Sequence, residues 1–374
     1  MRFVDEFRRG DVAKGMAEHI RRQVDPERSY RLMEFCGGHT HAIARYGLTG
    51  LLPKNIRLIH GPGCPVCVLP IGRIDAAIAL ALTHQVILCT YGDTLRVPAS
   101  QGMSLYKARA QGADIRVIYS TADALQIARS HPNRQVVLFG IGFETTTPPT
   151  ALALKTARAE ALPNFSVFCN HVLTPPAMRH LLAAGDAVEL DGFIGPSHVS
   201  TVIGSAPYAA VAREFAKPVV IAGFEPLDVL QSISMLIEQI HRGAAEVETQ
   251  FTRAVTVEGN ARARAVVAET LVLRDRFEWR GLGQVPHSAL AIHPDFAEWD
   301  AERRFELPQH SVPDHKACEC AAILRGQKAP QDCKVFAKVC TPDNPLGACM
   351  VSSEGACAAH FQYGRFMNTS EATA

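Results

Sequence analysis

The sequence contains no uninterrupted apolar run near the ~20 residues that a membrane-spanning helix needs, so no membrane role is expected. The stretch Met1–Arg9 alternates apolar with charged side chains and has no apolar core of the kind a secretory signal carries. Charge of one sign is also lacking: 38 Lys and Arg stand against 37 Asp and Glu, a formal net charge of +1. This leaves neither a basic field for nucleic acid nor an acidic one for cations. No basic cluster interleaves with aromatics, which argues against a nucleic-acid partner. Neither Gly-x4-Gly-Lys-Ser/Thr nor Gly-x-Gly-x-x-Gly occurs, so nucleotide binding has no positive support. A cytoplasmic protein is the expectation that remains.

What is abundant is cysteine. Eleven thiols in a reducing compartment are more often metal ligands or redox groups than structural disulfides. Six of the eleven (Cys318, Cys320, Cys333, Cys340, Cys349 and Cys357) fall in the last 57 residues, which marks a site. At 374 residues, 47% apolar and 20% charged, the chain has the composition of a globular protein and room for two or three domains.

From Tyr30 to about Ile240, short apolar runs alternate with helical patterns. Tyr30–Phe35, Arg57–His60, Gln85–Tyr91, Ile115–Tyr119, Gln135–Gly140, Phe165–Asn170, Gly192–Ile194 and Pro218–Gly223 read as strands, mostly covered on both faces. Amphipathic or Ala-rich stretches such as Arg73–Thr83, Thr150–Ala159 and Leu227–Arg242 lie between several of them. The alternation predicts an α/β fold of two Rossmann-like, parallel-sheet domains. Gly142-Phe143-Glu144 and Gly223-Phe224-Glu225 each follow a strand and precede Pro and a helix, a weak internal echo of two similar lobes. Beyond Gly243 a long helical pattern is expected over Ala244–Arg274, then a stretch with few strand signals over Gly281–His315. The expected division is residues 25–130 and 131–240 for the α/β domains. A smaller, mainly helical or irregular domain takes 241–374, with the N-terminal helix of 1–24 packed on it.

Four segments carry chemistry. Cys36-Gly37-Gly38-His39-Thr40-His41 follows a strand, and its glycines let backbone approach a ligand closely. A thiolate with imidazoles three and five residues on suits iron, copper or zinc. A structural cysteine at a Gly-rich turn is the plainer account. Gly61-Pro62-Gly63-Cys64-Pro65-Val66-Cys67 also follows a strand, and its two sulfurs can form a disulfide or share a metal. Without a second such pair, redox exchange is favoured over structural zinc. In Glu144-Thr145-Thr146-Thr147-Pro148 a carboxylate and hydroxyls can cap a helix or line a crevice, and Tyr91-Gly92-Asp93-Thr94 is of the same kind. The tail cysteines are spaced irregularly among Pro and Gly, which favours an iron–sulfur cluster over zinc. Cys89 and Cys169 lie in apolar strands and read as core.

Together these segments resemble the HypD family of hydrogenase maturation proteins. The pieces that carry the resemblance are Phe35–His41, His60–Cys67, Gly142–Pro148, Cys340-Thr341-Pro342 and Gly347–Cys357, in order along nearly the whole chain. The resemblance implies a [4Fe–4S] cluster in the third domain and a part in building the Fe(CN)2CO group of [NiFe] hydrogenases. It implies a small HypC-type chaperone as partner, with cyanide from a HypE-type donor charged by a HypF-type carbamoyltransferase. Carried over to this sequence, Cys36 helps hold the iron under construction with His39 nearby, and Cys64 and Cys67 form a redox pair linking that iron to the cluster. Glu144, Thr145 and Thr146 are then crevice groups. For the cluster the expected ligands are Cys320, Cys333, Cys340 and Cys357. Cys318 and Cys320 are too close to reach one cluster comfortably together, and Cys349 is the main rival. The competing reading is a ferredoxin-linked thiol–disulfide reductase using the same pair and cluster, which leaves Cys36, His39 and His41 idle. A zinc-stabilised interaction module is the third.

Overall fold

The computed structural model describes residues 4–185 and 189–364. In chain order the strands are β1 (Tyr30–Glu34), β2 (Ile56–His60), β3 (Ile87–Thr90), β4 (Ile115–Val117), β5 (Val136–Gly142), β6 (Phe165–His171), β7 (Gly192–Pro196), β8 (Val219–Ala222) and β9 (Val247–Thr249). Four short ones follow: β10 (Leu271–Leu273), β11 (Arg276–Trp279), β12 (Gly283–Pro286) and β13 (Leu290–Ile292).

Two parallel sheets form the body of the molecule. One has the order β2-β1-β7-β8-β9 and the other β4-β3-β5-β6. β5 and β6 are buried along their whole length, as the unbroken apolar run Val136–Ile141 requires of a strand covered on both faces. Each such Val, Leu, Ile or Phe contributes about 1.5–3 kcal/mol by leaving water. Helices begin where Pro stands at the first positions, as at Pro65, Pro148 and Pro226, because the fixed φ suits a helix start and the missing N–H would be unpaired there.

The two sheets do not follow the linear division at residue 130. The first draws β1 and β2 from one end of the α/β region and β7 to β9 from the other; the second lies between them in sequence and spans the expected boundary. The long helix expected over Ala244–Arg274 is instead β9, a loop and the helix Ala261–Thr270, with Asn260 accepting the Ala263 N–H at its start. Gly281–His315, expected to hold few strands, contains β12 and β13; β12 pairs with β11 and β13 with β10, both antiparallel. The N-terminal helix Gly10–Gln23 does not pack on the cysteine-rich part. Its Ala13 and Ile20 bury against Val229, Ile233 and Leu236 of the helix Pro226–Arg242, because that helix offers the matching apolar stripe. Among the described residues no helix is long and apolar enough to cross a membrane.

A thiol-lined candidate site

In open parallel sheets, ligands gather beyond the carboxyl ends of strands where the strand order reverses. In the first sheet that point lies between β1 and β7, and Cys36 and His198 follow those two strands. In the second it lies between β3 and β5, followed by Tyr91–Thr94 and Glu144. Three of the four marked segments therefore stand at strand ends, two of them at switch points, and His198 joins them.

Cys36 caps the helix Gly37–Arg45, with its own N–H donated to Glu34 Oε2 at 3.0 Å. Its sulfur lies 4.0 Å from His198 Nδ1, and burial pushes the thiol pKa well up. Glu34 is fully buried and also accepts from the Thr40 hydroxyl and His60 Nδ1, the latter at 2.8 Å. His60 meets His360 at 2.9 Å, and both imidazoles line a cavity of about 850 Å³ beside the edge of β2. Sequence reasoning missed Glu34, His60, His198 and His360. A carboxylate inside the apolar run Leu32–Phe35 was a signal for the first, since buried charge persists only where it is hydrogen-bonded.

His39 is buried with Nε2 within 2.9 Å of the Ala222 carbonyl and 3.1 Å of the Gly223 carbonyl. Nε2 therefore carries the proton, and Nδ1 is a buried lone pair with no partner. Burial holds its pKa down to about 4, so the ring is neutral and able to act as a ligand. Phe224 lies against both His39 and His198, with ring centroids at 4.8 and 4.1 Å. His41 points elsewhere, to the Tyr363 hydroxyl at 3.1 Å.

The loop carrying Cys64 and Cys67 rests directly on Cys36. Gly37 N–H donates to the Gly63 carbonyl at 2.9 Å, and a Cβ on Gly63 would collide with the Cys36 backbone. Cys64 and Cys67 are joined in a disulfide with Cα atoms 5.2 Å apart. On the far side, Cys67 Sγ lies 3.9 Å from the Ala348 carbonyl, next to Cys349.

The tail thiols converge. Cys320 is within hydrogen-bonding reach of Cys318, Cys349 and Cys357, and Cys349 of Cys357. Cys340 accepts the Leu346 N–H at 3.4 Å, and Cys333 touches Glu319. All but Cys318 are buried. Cys318 and Cys320, not expected to ligate one cluster together, lie within hydrogen-bonding reach of each other. A four-iron cluster takes its thiolates at separate corners, so six thiols wrapped by irregular chain fit that donor set better than a single zinc.

Glu144 sits at the start of the helix Thr174–Ala183, accepting the Thr174 N–H at 2.8 Å and its hydroxyl at 3.0 Å. Burial pushes its pKa up to about 7. Thr146 spends its hydroxyl on the Ile141 and Phe143 carbonyls, where Gly142 turns at φ +139°, and Thr145 is half-buried beside it. Cys89 and Cys169 are core residues.

A family model described as "HypD: Hydrogenase formation hypA family" matches residues 11–364. The chain belongs to the HypD family. It is 62% identical over 371 residues to the hydrogenase maturation factor HypD of Cupriavidus necator, covering 98% of each chain. The HypD of Rhodobacter capsulatus is 50% identical over 373 residues, 97% of this chain and 98% of its own. That of Escherichia coli is 46% identical over 368 residues, again 97% and 98%. The HypD match therefore spans all the thiol-bearing segments, from Cys36 to Cys357.

Proposed function

We propose that this protein is a hydrogenase maturation factor, a redox-active scaffold on which an Fe(CN)2CO unit is assembled. The observation that carries the reading is the packing of three sulfur-bearing segments on one another: Gly37 next to Cys36 donates to the Gly63 carbonyl beside the Cys64–Cys67 disulfide, and Cys67 Sγ lies 3.9 Å from the Ala348 carbonyl, next to Cys349 of the tail. The nascent iron is cargo, held by the Cys36 thiolate with the free Nδ1 of His39 nearby. A soft thiolate suits low-valent iron that carries cyanide and CO. Cys36 must lose its proton to bind, and burial keeps the thiol protonated until iron arrives. The Cys64–Cys67 pair cycles between disulfide and dithiol with two electrons and two protons.

Cys320, Cys333, Cys340 and Cys357 are the proposed cluster ligands, with Cys318 and Cys349 as the competing thiols that touch Cys320. When bound, a [4Fe–4S] cluster supplies one-electron transfer. Glu144, Thr145 and Thr146 shape the crevice wall. The partners proposed are a HypC-type chaperone, and a HypE-type cyanide donor with a HypF-type enzyme upstream, all in the cytoplasm.

The test is anaerobic purification of the wild type and Cys36→Ala, with iron, sulfide and visible spectra, followed by infrared search for bound CN⁻ and CO. Four irons per chain in both, with infrared bands only in the wild type, supports the reading. Zinc in place of iron defeats it. The disulfide also favours a second reading, a thiol–disulfide reductase. Turnover on model disulfides that is unchanged in Cys36→Ala would select that one.

A further inference from the structure

The hairpin turn Arg280–Leu282, between β11 and β12, reaches into the thiol-rich lobe. Gly281 takes φ +84°, and a Cβ there would stand 3.1 Å from the Ala321 Cα, one residue past Cys320. The Arg280 N–H donates at 2.7 Å to the carbonyl of Val68, the residue after Cys67. Arg280 thus stands between the disulfide loop and the tail cysteines.

Its guanidinium is 2% exposed and poorly matched. Nη2 donates to the Pro98 carbonyl at 3.3 Å. Nε lies 3.1 Å from Asp314 Oδ1, but out of line for a hydrogen bond, and Nη1 has no partner. A buried guanidinium normally satisfies its donors, because an unmade hydrogen bond to a charged group is costly in a dry interior. Asp314 is itself 24% exposed, so the single countercharge is partly screened.

We propose that Arg280 is a positioning residue for the tail cluster: its buried guanidinium, with Nη1 free and a partly exposed Asp314 as its one countercharge, supplies positive charge that offsets a cluster of thiolates and sulfides and eases its reduction. The inference rests on the iron–sulfur reading above and adds a residue outside the cysteines. A fixed cation favours whichever state carries the extra electron, and hydrogen bonds and charge near the sulfurs are among the levers that set such potentials.

The experiment is a dye-mediated redox titration of the full-length, anaerobically purified protein, followed by the electron paramagnetic resonance signal of the reduced form. Iron and sulfide are measured first. Wild-type protein without iron would sink the cluster reading itself, before any variant is read. With iron present, Arg280→Gln is expected to keep its iron and to show at least a tenfold lower reduced-to-oxidised ratio at fixed potential, equivalent to 59 mV for a one-electron couple. Arg280→Lys, which keeps the charge, is expected to stay within threefold of wild type. An Arg280→Gln protein with full iron and the wild-type midpoint overturns the proposal. If Arg280→Gln purifies without iron, Arg280→Lys decides: restored iron supports a need for the charge, and iron-free Lys protein overturns it.

Discussion

Replacing Glu144 with Gln should stabilise the protein in a pH-dependent way. The buried carboxyl moves from 4.5 to about 7, with desolvation as the cause, against which the Thr174 N–H and hydroxyl act. A folded-state pKa above the unfolded one means the native protein holds a proton that the unfolded chain has lost. That advantage is complete below pH 4.5 and disappears as the pH rises through 7. Integrated over that window, the wild type loses about 3 kcal/mol of stability on an order-of-magnitude scale. Gln keeps an oxygen for the Thr174 N–H and has no charge to bury, so it escapes this loss. The assay is thermal unfolding of both proteins, reduced and oxygen-free, from pH 5 to 8. The variant should match the wild type near pH 5 and exceed it by roughly 5–10 °C at pH 8, if a lobe of some 200 residues unfolds as a unit. A difference that stays flat across the range refutes the argument. If maturation in cells is also complete in the variant, Glu144 is a helix cap and nothing more.

Gly63→Ala should lower stability by several kcal/mol, on the order of other overpacking changes or beyond, because the backbone of Cys36 cannot retreat; wild-type melting would refute the close approach. Thiol titration of denatured, metal-free protein should find nine free thiols before reduction and eleven after. Eleven at the outset would mean that the Cys64–Cys67 pair rests reduced. Asn260→Ala should cost about 1 kcal/mol in the helix Ala261–Thr270, read as faster amide exchange there. Cys→Ser changes at Cys320, Cys333, Cys340 and Cys357 should each reduce iron content, and any that retains full cluster absorbance leaves the ligand set.

β3, β5, β6, β7 and β8 were legible because parallel strands buried on both faces must be apolar, as in Val136–Ile141; β2 and β4 are only partly buried and were marked by shorter apolar stretches interrupted by Arg57 and Arg116. β9 was not, since Val247-Glu248-Thr249 is a half-buried edge strand with no such run. The break before Ala261 did have a signal in Gly259-Asn260, a glycine at φ +72° followed by a capping side chain, which the Ala-rich pattern around it masked. The marked segments were legible by residue type. Their convergence was not: that Gly63 touches Cys36, or that Cys67 meets Ala348, depends on how distant loops pack. His198 and His360 carry no local mark at all; only the strand order and the helix Ala356–Tyr363 bring them in.

The way one sheet is nested inside the other has a consequence during synthesis. β1 and β2 emerge about 130 residues ahead of β7, the neighbour that covers the other edge of β1. At ribosomal rates of ~5–20 residues per second, this is an interval of roughly 7–26 s. Through that time Cys36, Cys64 and Cys67 have left the ribosome while the strand that completes their crevice has not been made. The nascent chain therefore passes through a stage in which these three sulfurs are open to cellular oxidants and metals, and chaperone protection would act to best effect there.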